Sequence, residues 1–189
     1  MSVEGGAFVV GGTAPFGLAV VRELVGRGAQ VLLVGPELEA LEEVVSELGD
    51  QVLPCVADLA DAEDAARVGG VAAALLGGVD GVVLAPAALP HGDVLEVPEG
   101  DWRASFSQSV WGPLGLLRGL VPLLEGDGGE VLFVLPAGAG EGEAGRVVRA
   151  MLEALVEELI AILPPVVRLS RIDADPELAG TAASLLARQ

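Results

Sequence analysis

Short apolar runs alternate along this chain with longer segments in which apolar residues recur every three or four positions. The runs are apolar on successive residues rather than on alternate ones, which is typical of parallel strands covered on both faces. We predict six strands, at residues 7–10, 28–35, 51–59, 81–86, 130–136 and 166–172. The pattern therefore indicates a parallel sheet with buried strands.

The segments between these runs predict the helices, at residues 15–27, 36–48, 61–76, 101–124 and 146–163, with a short one from residue 176 onward. Asp61 and Asp101 stand where N-caps are expected, because a carboxylate there accepts hydrogen bonds from the free N–H groups of a first turn. Gly112, Pro113 and Pro122 predict kinks in the helix over 101–124.

Strand and helix alternate from one end of the sequence to the other, with no internal repeat and no linker. This order predicts a single α/β domain over residues 1–189, built on a doubly wound parallel sheet of about six strands with helices on both faces. The first strand meets its helix through a turn from Gly11 to Gly17. A glycine-rich turn that leads into a helix N-terminus is typical of a pyrophosphate site.

Composition narrows the possible partners. The chain has 28 acidic and 10 basic residues, a net charge of -18, which argues against nucleic acid and anionic membrane surfaces. No apolar segment reaches the roughly 20 residues of a membrane helix, and no basic region precedes an apolar run at the start. We therefore expect a cytoplasmic protein. The lone Cys55 lies in an apolar run and predicts a buried thiol.

Several landmarks, taken in order, resemble the short-chain dehydrogenase/reductase family. They are the turn and helix GGTAPFGLAVVREL at 11–24, Asp58 in VADLAD, Trp102 with two later Gly-Pro and Val-Pro steps, and the segment ALVEELIAILPPVVRLSRI at 154–172. The resemblance implies a Rossmann-like sheet with strand order 3-2-1-4-5-6. It also implies a cofactor, NAD or NADP, beside residues Gly11, Thr13, Phe16, Gly17, Glu37, Asp58, Leu59 and Ala85.

The expected cofactor site departs from the pattern of the family. Pro15 stands at the position of its middle glycine and removes an N–H group beside the pyrophosphate. Residues Gly35, Pro36 and Glu37 include no arginine for a 2′-phosphate, and Glu37 is left as the candidate for a ribose hydroxyl. We therefore expect NAD or NADP binding to be weakened or absent.

The catalytic positions of the family are all substituted. Its Asn, Ser, Tyr and Lys fall on Ser109, Pro136, Gly145 and Arg149, and the chain contains no Asn, Tyr or Lys. Carbonyl reduction needs a proton donor, a cation that lowers the pKa of that donor, and a hydroxyl that polarises the carbonyl. Pro136 and Gly145 have no side-chain donor, and a guanidinium does not relay protons. We expect no carbonyl reduction of the usual kind.

Other side chains have two interpretations each. His91 and Asp93 follow strand four and could form an acid–base pair, or they could be solvated loop residues. Glu141 and Glu143 flank Gly145. Their carboxylates could point into the pocket, or they could be charges at a helix N-terminus. Trp111 either packs or lines the pocket. No metal site is predicted.

Two functions remain open. The first is a degenerate family member with a small-molecule-binding, non-redox or partner-subunit role; the alternative is a divergent NAD(P)-dependent oxidoreductase acting on a carbonyl or hydroxyl substrate. The resemblance implies a dimer through helices 101–124 and 146–163, or a hetero-oligomer with an active relative. We also expect the domain to lack a substrate lid, because only residues 173–175 precede Pro176, and to lack a seventh strand, because no strand pattern is obvious between there and Gln189.

Overall fold

The computed structural model describes residues 6–85, 89–124, 128–136 and 142–186. Six parallel strands form one sheet in the order 3-2-1-4-5-6. The strands are β1 Ala7–Gly11, β2 Gln30–Gly35, β3 Val52–Val56, β4 Gly81–Leu84, β5 Gly129–Leu135 and β6 Val167–Asp173. The predicted doubly wound sheet and its strand order are confirmed.

Seven α-helices of the described chain pack against the two faces of this sheet. They are α1 Pro15–Gly26, α2 Leu38–Leu48, α3 Ala62–Leu76, α4 Glu99–Phe106, α5 Gly112–Leu124, α6 Gly142–Ile162 and α7 Ala179–Leu186. Apolar residues of α3, α5 and α6 form the core on one face, and those of α1, α2 and α7 form it on the other. Because both faces are covered, β1, β2, β4 and β5 are almost entirely buried, as their continuous apolar runs require.

The predicted helix over 101–124 is wrong in two respects. It begins at Glu99, after Pro98, so Asp101 lies inside the first turn and is not the N-cap. A π-helical turn at Ser107–Trp111 then separates α4 from α5. The irregular turn lies just before Gly112, where a Cβ atom would be 2.7 Å from the carbonyl oxygen of Leu59. The helix therefore changes its winding where it meets another segment, and it continues through Pro122.

Other boundaries shift by a few residues. Helix α2 begins at Leu38 rather than at residue 36, and α6 begins at Gly142 rather than at 146. Strand β3 ends at Val56, although Ala57 beyond it is also buried. Asp61 is the N-cap of α3 as predicted, since its carboxylate accepts hydrogen bonds from the backbone N–H groups two and three residues later.

Helices α3 and α5 approach each other through glycines. A Cβ atom at Gly69 would be 2.3 Å from the carbonyl oxygen of Gly119, so the two backbones are in direct contact there. The neighbouring Gly70 has no atom within 4 Å of its hypothetical Cβ. The contact holds α5 close to α3, and Gly112 at the start of α5 in turn packs on Leu59.

Strand β6 forms one edge of the described sheet, and β3 forms the other. Its Arg168 pairs with the buried Glu130 of β5 at 2.8 Å, and Ser170 donates to the same carboxylate. Among the described residues, no helix has both the length and the apolar character needed to cross a membrane. The expected cytoplasmic location stays a prediction.

Candidate functional site

A cleft of about 180 Å³ opens at the carboxyl ends of β1 to β4. In the sheet β1 lies between β2 and β4, so successive connections run in opposite directions from it. Such a switch point is where open α/β sheets bind their ligands. The lining residues are Gly11, Gly12, Thr13, Ala14, Val34, Gly35, Pro36, Ala57, Asp58, Leu59, Ala60, Leu84, Ala85, Gln108, Pro113 and Leu116.

The turn between β1 and α1 forms the floor of the cleft, and its glycines are needed for close approach. Gly12 has a φ of 118°, and a Cβ atom there would be 2.7 Å from the carbonyl oxygen of Ala85. A Cβ atom at Gly17 would be 2.9 Å from the carbonyl oxygen of Gly12. Larger residues at either position would force the turn away from β4 or from α1.

Pro15 is the first residue of α1, where proline is tolerated because that N–H has no helical partner. It therefore removes one donor from the helix N-terminus but does not disturb the helix. Within the described chain, the backbone N–H groups of Phe16 and Gly17 have no hydrogen-bond partner. These N–H groups are available to an anion.

Five of the eight expected cofactor residues line the cleft: Gly11, Thr13, Asp58, Leu59 and Ala85. The other three, Phe16, Gly17 and Glu37, are absent from its lining.

The side chain of Phe16 is buried in the core below the sheet, so only its backbone faces the turn. Glu37 is exposed just before α2 and outside the cleft, whereas the preceding Pro36 forms the wall. The contact of Glu37 with a ribose stays a prediction.

Asp58 and Leu59 place a hydrogen-bond acceptor and a donor side by side at one end of the cleft. Oδ1 of Asp58 accepts from the N–H of Ala60 at 2.9 Å, which fixes the carboxylate in a tight turn. The N–H of Leu59 has no partner within the described residues. The second carboxylate oxygen and this N–H are therefore both available to a ligand edge.

The four positions that correspond to catalytic residues lie on the π-helical turn, at the end of β5 and on α6. Ser109 is fully buried in the π-helical turn, Pro136 follows β5, and Gly145 is buried near the start of α6. None of them lines the described cleft. Gln108, beside Ser109, does line it. Gln108 is not among the residues predicted from the sequence, where its only signal is its place one residue before a family position.

Arg149 is held on three sides. Its guanidinium donates to the carbonyl oxygen of Pro136 and to the carboxylate of Asp173, and its Nε lies 3.2 Å from an oxygen of Glu153. The hydrogen bond to Asp173, more than the other contacts, raises the pKa of Arg149 above its ordinary value. Arg149 thus joins α6 to the ends of β5 and β6, and these contacts use three of its five N–H donors.

No hydrogen bond or ion pair joins His91 to Asp93 in the described structure. Both residues are exposed, and the carboxylate of Asp93 accepts from the N–H of Leu95 at 2.8 Å in a local turn. Glu143 forms an exposed ion pair with Arg146, and Glu141 lies outside the described residues. The structure thus gives Asp93 and Glu143 local contacts.

Gly92, which lies between His91 and Asp93, forms an isolated parallel bridge with Gly142. The carbonyl oxygen of Gly92 accepts from the N–H of Ala144 at 3.1 Å, and a Cβ atom at Gly142 would be 2.8 Å from the Gly92 nitrogen. The loop after β4 is therefore attached to the first turn of α6.

A second depression lies away from the cleft, between α4 with its π-helical turn and α6. It is lined by Arg103, Phe106, Ser107, Val110, Trp111 and Met151. Trp111 is 62% exposed and Met151 is 46% exposed. Trp111 therefore neither packs in the core nor lines the cleft. Among the described residues, no group of three or more His, Cys, Asp or Glu side chains could hold a metal ion.

Comparison with known proteins gives a consistent result. The family model described as short chain dehydrogenase matches residues 6–148. The cis-2,3-dihydrobiphenyl-2,3-diol dehydrogenase of Paraburkholderia xenovorans is 26% identical over 182 residues, which are 91% of this chain and 66% of that protein. The chain spans less than two thirds of the length of the curated relatives it matches, for example 58% of nodulation protein G of Rhizobium meliloti.

Two solved structures share the fold. A short-chain dehydrogenase from Streptomyces avermitilis superposes with a TM-score of 0.80 and 26% identity, over 89% of this chain and 65% of that chain. L-sorbose reductase from Gluconobacter frateurii, complexed with NADPH and L-sorbose, superposes with a TM-score of 0.81 and 22% identity, over 91% of this chain and 70% of that chain.

Proposed function

Because the chain belongs to the short-chain dehydrogenase family, we propose that it binds a nucleotide in the cleft at the ends of β1 to β4 without carrying out the carbonyl reduction typical of that family. Its role is that of a ligand-binding or partner subunit. The observation that carries this proposal is the position of Arg149, whose three guanidinium nitrogens contact Pro136, Asp173 and Glu153.

The adenosine end of a nicotinamide cofactor fits the residues that are present. The glycines of the β1–α1 turn let its backbone line the cleft close to β4, and Asp58 with Leu59 offers polar atoms at the far end of the cleft. When bound, NAD or NADP supplies hydride transfer. On this chain, Gly11, Thr13 and Ala85 would lie beside its middle portion.

The residues at the positions that would surround the nicotinamide end do not fit the cofactor in the same way. Pro136 and Gly145 have no side-chain donor, and Ser109 is fully buried. A positioned acid or base contributes roughly 10² to 10⁴ in rate, and the members of one catalytic group lose their effects together. We therefore derive no reduction step from these residues.

A direct test uses the pure protein with NADH or NADPH and a panel of aldehydes and ketones, following the nicotinamide absorbance. We expect no turnover above the rate without protein. The same preparation should release or absorb heat when titrated with adenine nucleotides. Carbonyl reduction at rates typical of the family would overturn the non-redox role.

Two glycine variants test the location of the site. Gly12→Ala should abolish nucleotide binding because its Cβ would meet the carbonyl oxygen of Ala85. Gly26→Ala, at the other end of α1, has no atom within 4 Å of the new Cβ and serves as the matched control. Circular dichroism reports whether both variants fold. Unchanged affinity in a folded Gly12→Ala protein would contradict the site.

The second candidate function is a divergent NAD(P)-dependent oxidoreductase in which His91 or Arg149 has a new role. Two relatives favour it, since one is a diol dehydrogenase and another is a reductase solved with NADPH. It requires tight binding of a nicotinamide cofactor. Absence of heat on titration with NAD⁺, NADH, NADP⁺ and NADPH would count against it.

We further propose that the chain forms a dimer through α4, α5 and α6. The support is the exposed apolar side chains of Val147, Met151 and Trp111 around the second depression, because large exposed apolar side chains that lie together are typical of protein interfaces. Trp111→Glu should lower the sedimentation coefficient to that of a monomer. Leu75→Glu, which changes a similarly exposed residue on α3, should leave it unchanged.

A further inference from the structure

Gln108 reaches the cleft from a helix, whereas most of the lining comes from the ends of strands. It lies in the π-helical turn between α4 and α5, and it lines the cleft together with Pro113 and Leu116 of α5. The residue is exposed, and its carboxamide has no hydrogen-bond partner among the described residues. Gln108 therefore brings a polar group to the helical wall of the cleft.

The π-helical turn decides which residue faces the cleft. Two turns of an α-helix take about seven residues, so an uninterrupted helix would place Ser109 on the same face as Leu116. The N–H of Gly112 instead bonds to the carbonyl oxygen of Ser107, which is the π-helical pattern and takes one residue more. Gln108 consequently lies on the face of Leu116 and lines the cleft, while Ser109 is fully buried.

The neighbours of Gln108 in this turn face other parts of the molecule. Ser107, Val110 and Trp111 line the second depression, on the side of α6. The turn therefore has one face toward α6, one toward the core at Ser109 and one toward the cleft at Gln108. A change at Ser107 and a change at Gln108 thus affect different surfaces of the same turn.

The polar side chains of the described lining differ in charge and in hydrogen-bonding character. Asp58 carries a carboxylate, which only accepts hydrogen bonds, and Thr13 carries a hydroxyl. The carboxamide of Gln108 is uncharged and both donates and accepts. Because the carboxylate of Asp58 repels an anion in the same cleft, an uncharged polar group of a ligand suits Gln108 better than a phosphate does.

We propose that Gln108 is a ligand-binding residue of this cleft, and that its carboxamide forms a hydrogen bond with the uncharged sugar or base of a nucleotide. The proposal rests on the proposed nucleotide-binding function and adds a residue to the site. Irregular π-helical turns are often found at functional sites. Here the turn has a specific effect, because it presents Gln108 to the cleft in place of Ser109.

The composition of the chain allows this contact to be observed directly by NMR. The chain has four glutamines and no asparagine, so the nitrogen-edited spectrum contains four side-chain amide pairs. Gln108→Met keeps the length of the side chain and removes one pair, which identifies the pair of Gln108. We expect NAD⁺ to shift this pair and to leave those of Gln30 and Gln51 in place. Gln30 is exposed at the start of β2, and Gln51 donates to the carbonyl oxygen of Ala29, both at the opposite end of the sheet.

Calorimetric titration of the full chain with NAD⁺ measures what the contact contributes to affinity. The loss of one hydrogen bond between uncharged groups should raise the dissociation constant of Gln108→Met about threefold to tenfold. Ser107→Ala changes a residue of the same π-helical turn that lines the second depression, so the dissociation constant should stay the same. The two variants together separate a ligand contact from a disturbance of the turn.

The outcomes separate this inference from the proposed function. If NAD⁺ binds but the amide pair of Gln108 does not shift, or if a folded Gln108→Met protein binds NAD⁺ as tightly as the wild type, the inference is overturned and nucleotide binding stands. An equal loss of affinity in Ser107→Ala would assign the effect to the turn and also overturn the contact. Absence of both heat and NMR shifts on addition of NAD⁺ would overturn the proposed function itself.

Discussion

The glycine contact between α3 and α5 allows a test in which two adjacent residues of one helix behave oppositely. Gly69→Ala places a Cβ atom 2.3 Å from the carbonyl oxygen of Gly119, whereas Gly70→Ala places one in open space. Both changes give the helix a residue of higher propensity, worth about 0.8–1.0 kcal/mol in a helix interior. The difference between the two variants therefore isolates the packing contribution.

The size of that contribution follows from the geometry. Non-bonded heavy atoms settle at separations of about 3.5 Å, so the two helices would have to move apart by about 1 Å at Gly69. Overpacking of this kind costs about 1–3 kcal/mol. We expect Gly70→Ala to raise the free energy of unfolding by about 0.5–1 kcal/mol. Gly69→Ala should then lie about 1–3 kcal/mol below Gly70→Ala.

Urea unfolding followed by circular dichroism measures the free energy of unfolding of both variants, with the wild-type chain as reference. The slope of the free energy against urea should be the same for all three proteins, so that the midpoints report stability alone. If Gly69→Ala is as stable as Gly70→Ala, the helices are not in backbone contact and the reasoning is refuted.

Three further predictions concern single side chains. Asp61→Ala should lower the free energy of unfolding by about 0.5–2 kcal/mol because α3 loses its N-cap, with exposed Asp50→Ala as the control that should change little. Burial raises the pKa of the Cys55 thiol, so a disulfide reagent should modify it slowly in the native protein and rapidly in urea; fast native modification would contradict the buried position. The hydrogen bond from Arg22 lowers the pKa of Glu47, so this pair contributes stability above the unfolded pKa of a glutamate and loses it as pH falls through the lower folded pKa. Carboxyl titration by NMR should show that Arg22→Gln returns the pKa of Glu47 toward its ordinary value.

The fold was predictable because its determinants are local and repeated. Short continuous apolar runs between turn residues are typical of strands covered on both faces, and each is followed by a segment of helical spacing. The strand order is confirmed, and so is the N-cap at Asp61. Strand ends were less predictable, because buried residues such as Ala57 continue past the end of the strand to line the cleft.

The break in the helix over 101–124 shows a limit of apolar periodicity. A π-helical turn adds a residue to one turn and then returns to normal winding, so the apolar spacing on either side remains helical. Asp101 has the right chemistry for an N-cap, but Pro98 already provides a backbone that allows the helix to start at Glu99. The preference of Asp101 for an N-cap position was therefore overridden by Pro98, which comes earlier in the chain.

The candidate site was predictable only in part. The cleft residues Gly11 and Asp58 could be found from their positions at strand ends, which is where the fold places ligands. The network around Arg149 could not, because Asp173 comes from another strand and meets it only when β5 and β6 are paired. When the ion-pair partner of a charged residue is distant in the sequence, the neighbouring residues do not indicate the pair.

The bridge between Gly92 and Gly142 has a consequence for amide hydrogen exchange. Amides in the first turn of a helix normally exchange quickly, since they lack acceptors. The N–H of Ala144 is buried and bonded to the carbonyl oxygen of Gly92, so it should exchange slowly and only when two segments separate together. Its exchange rate would then report the opening of the loop after β4 and the start of α6 as one event.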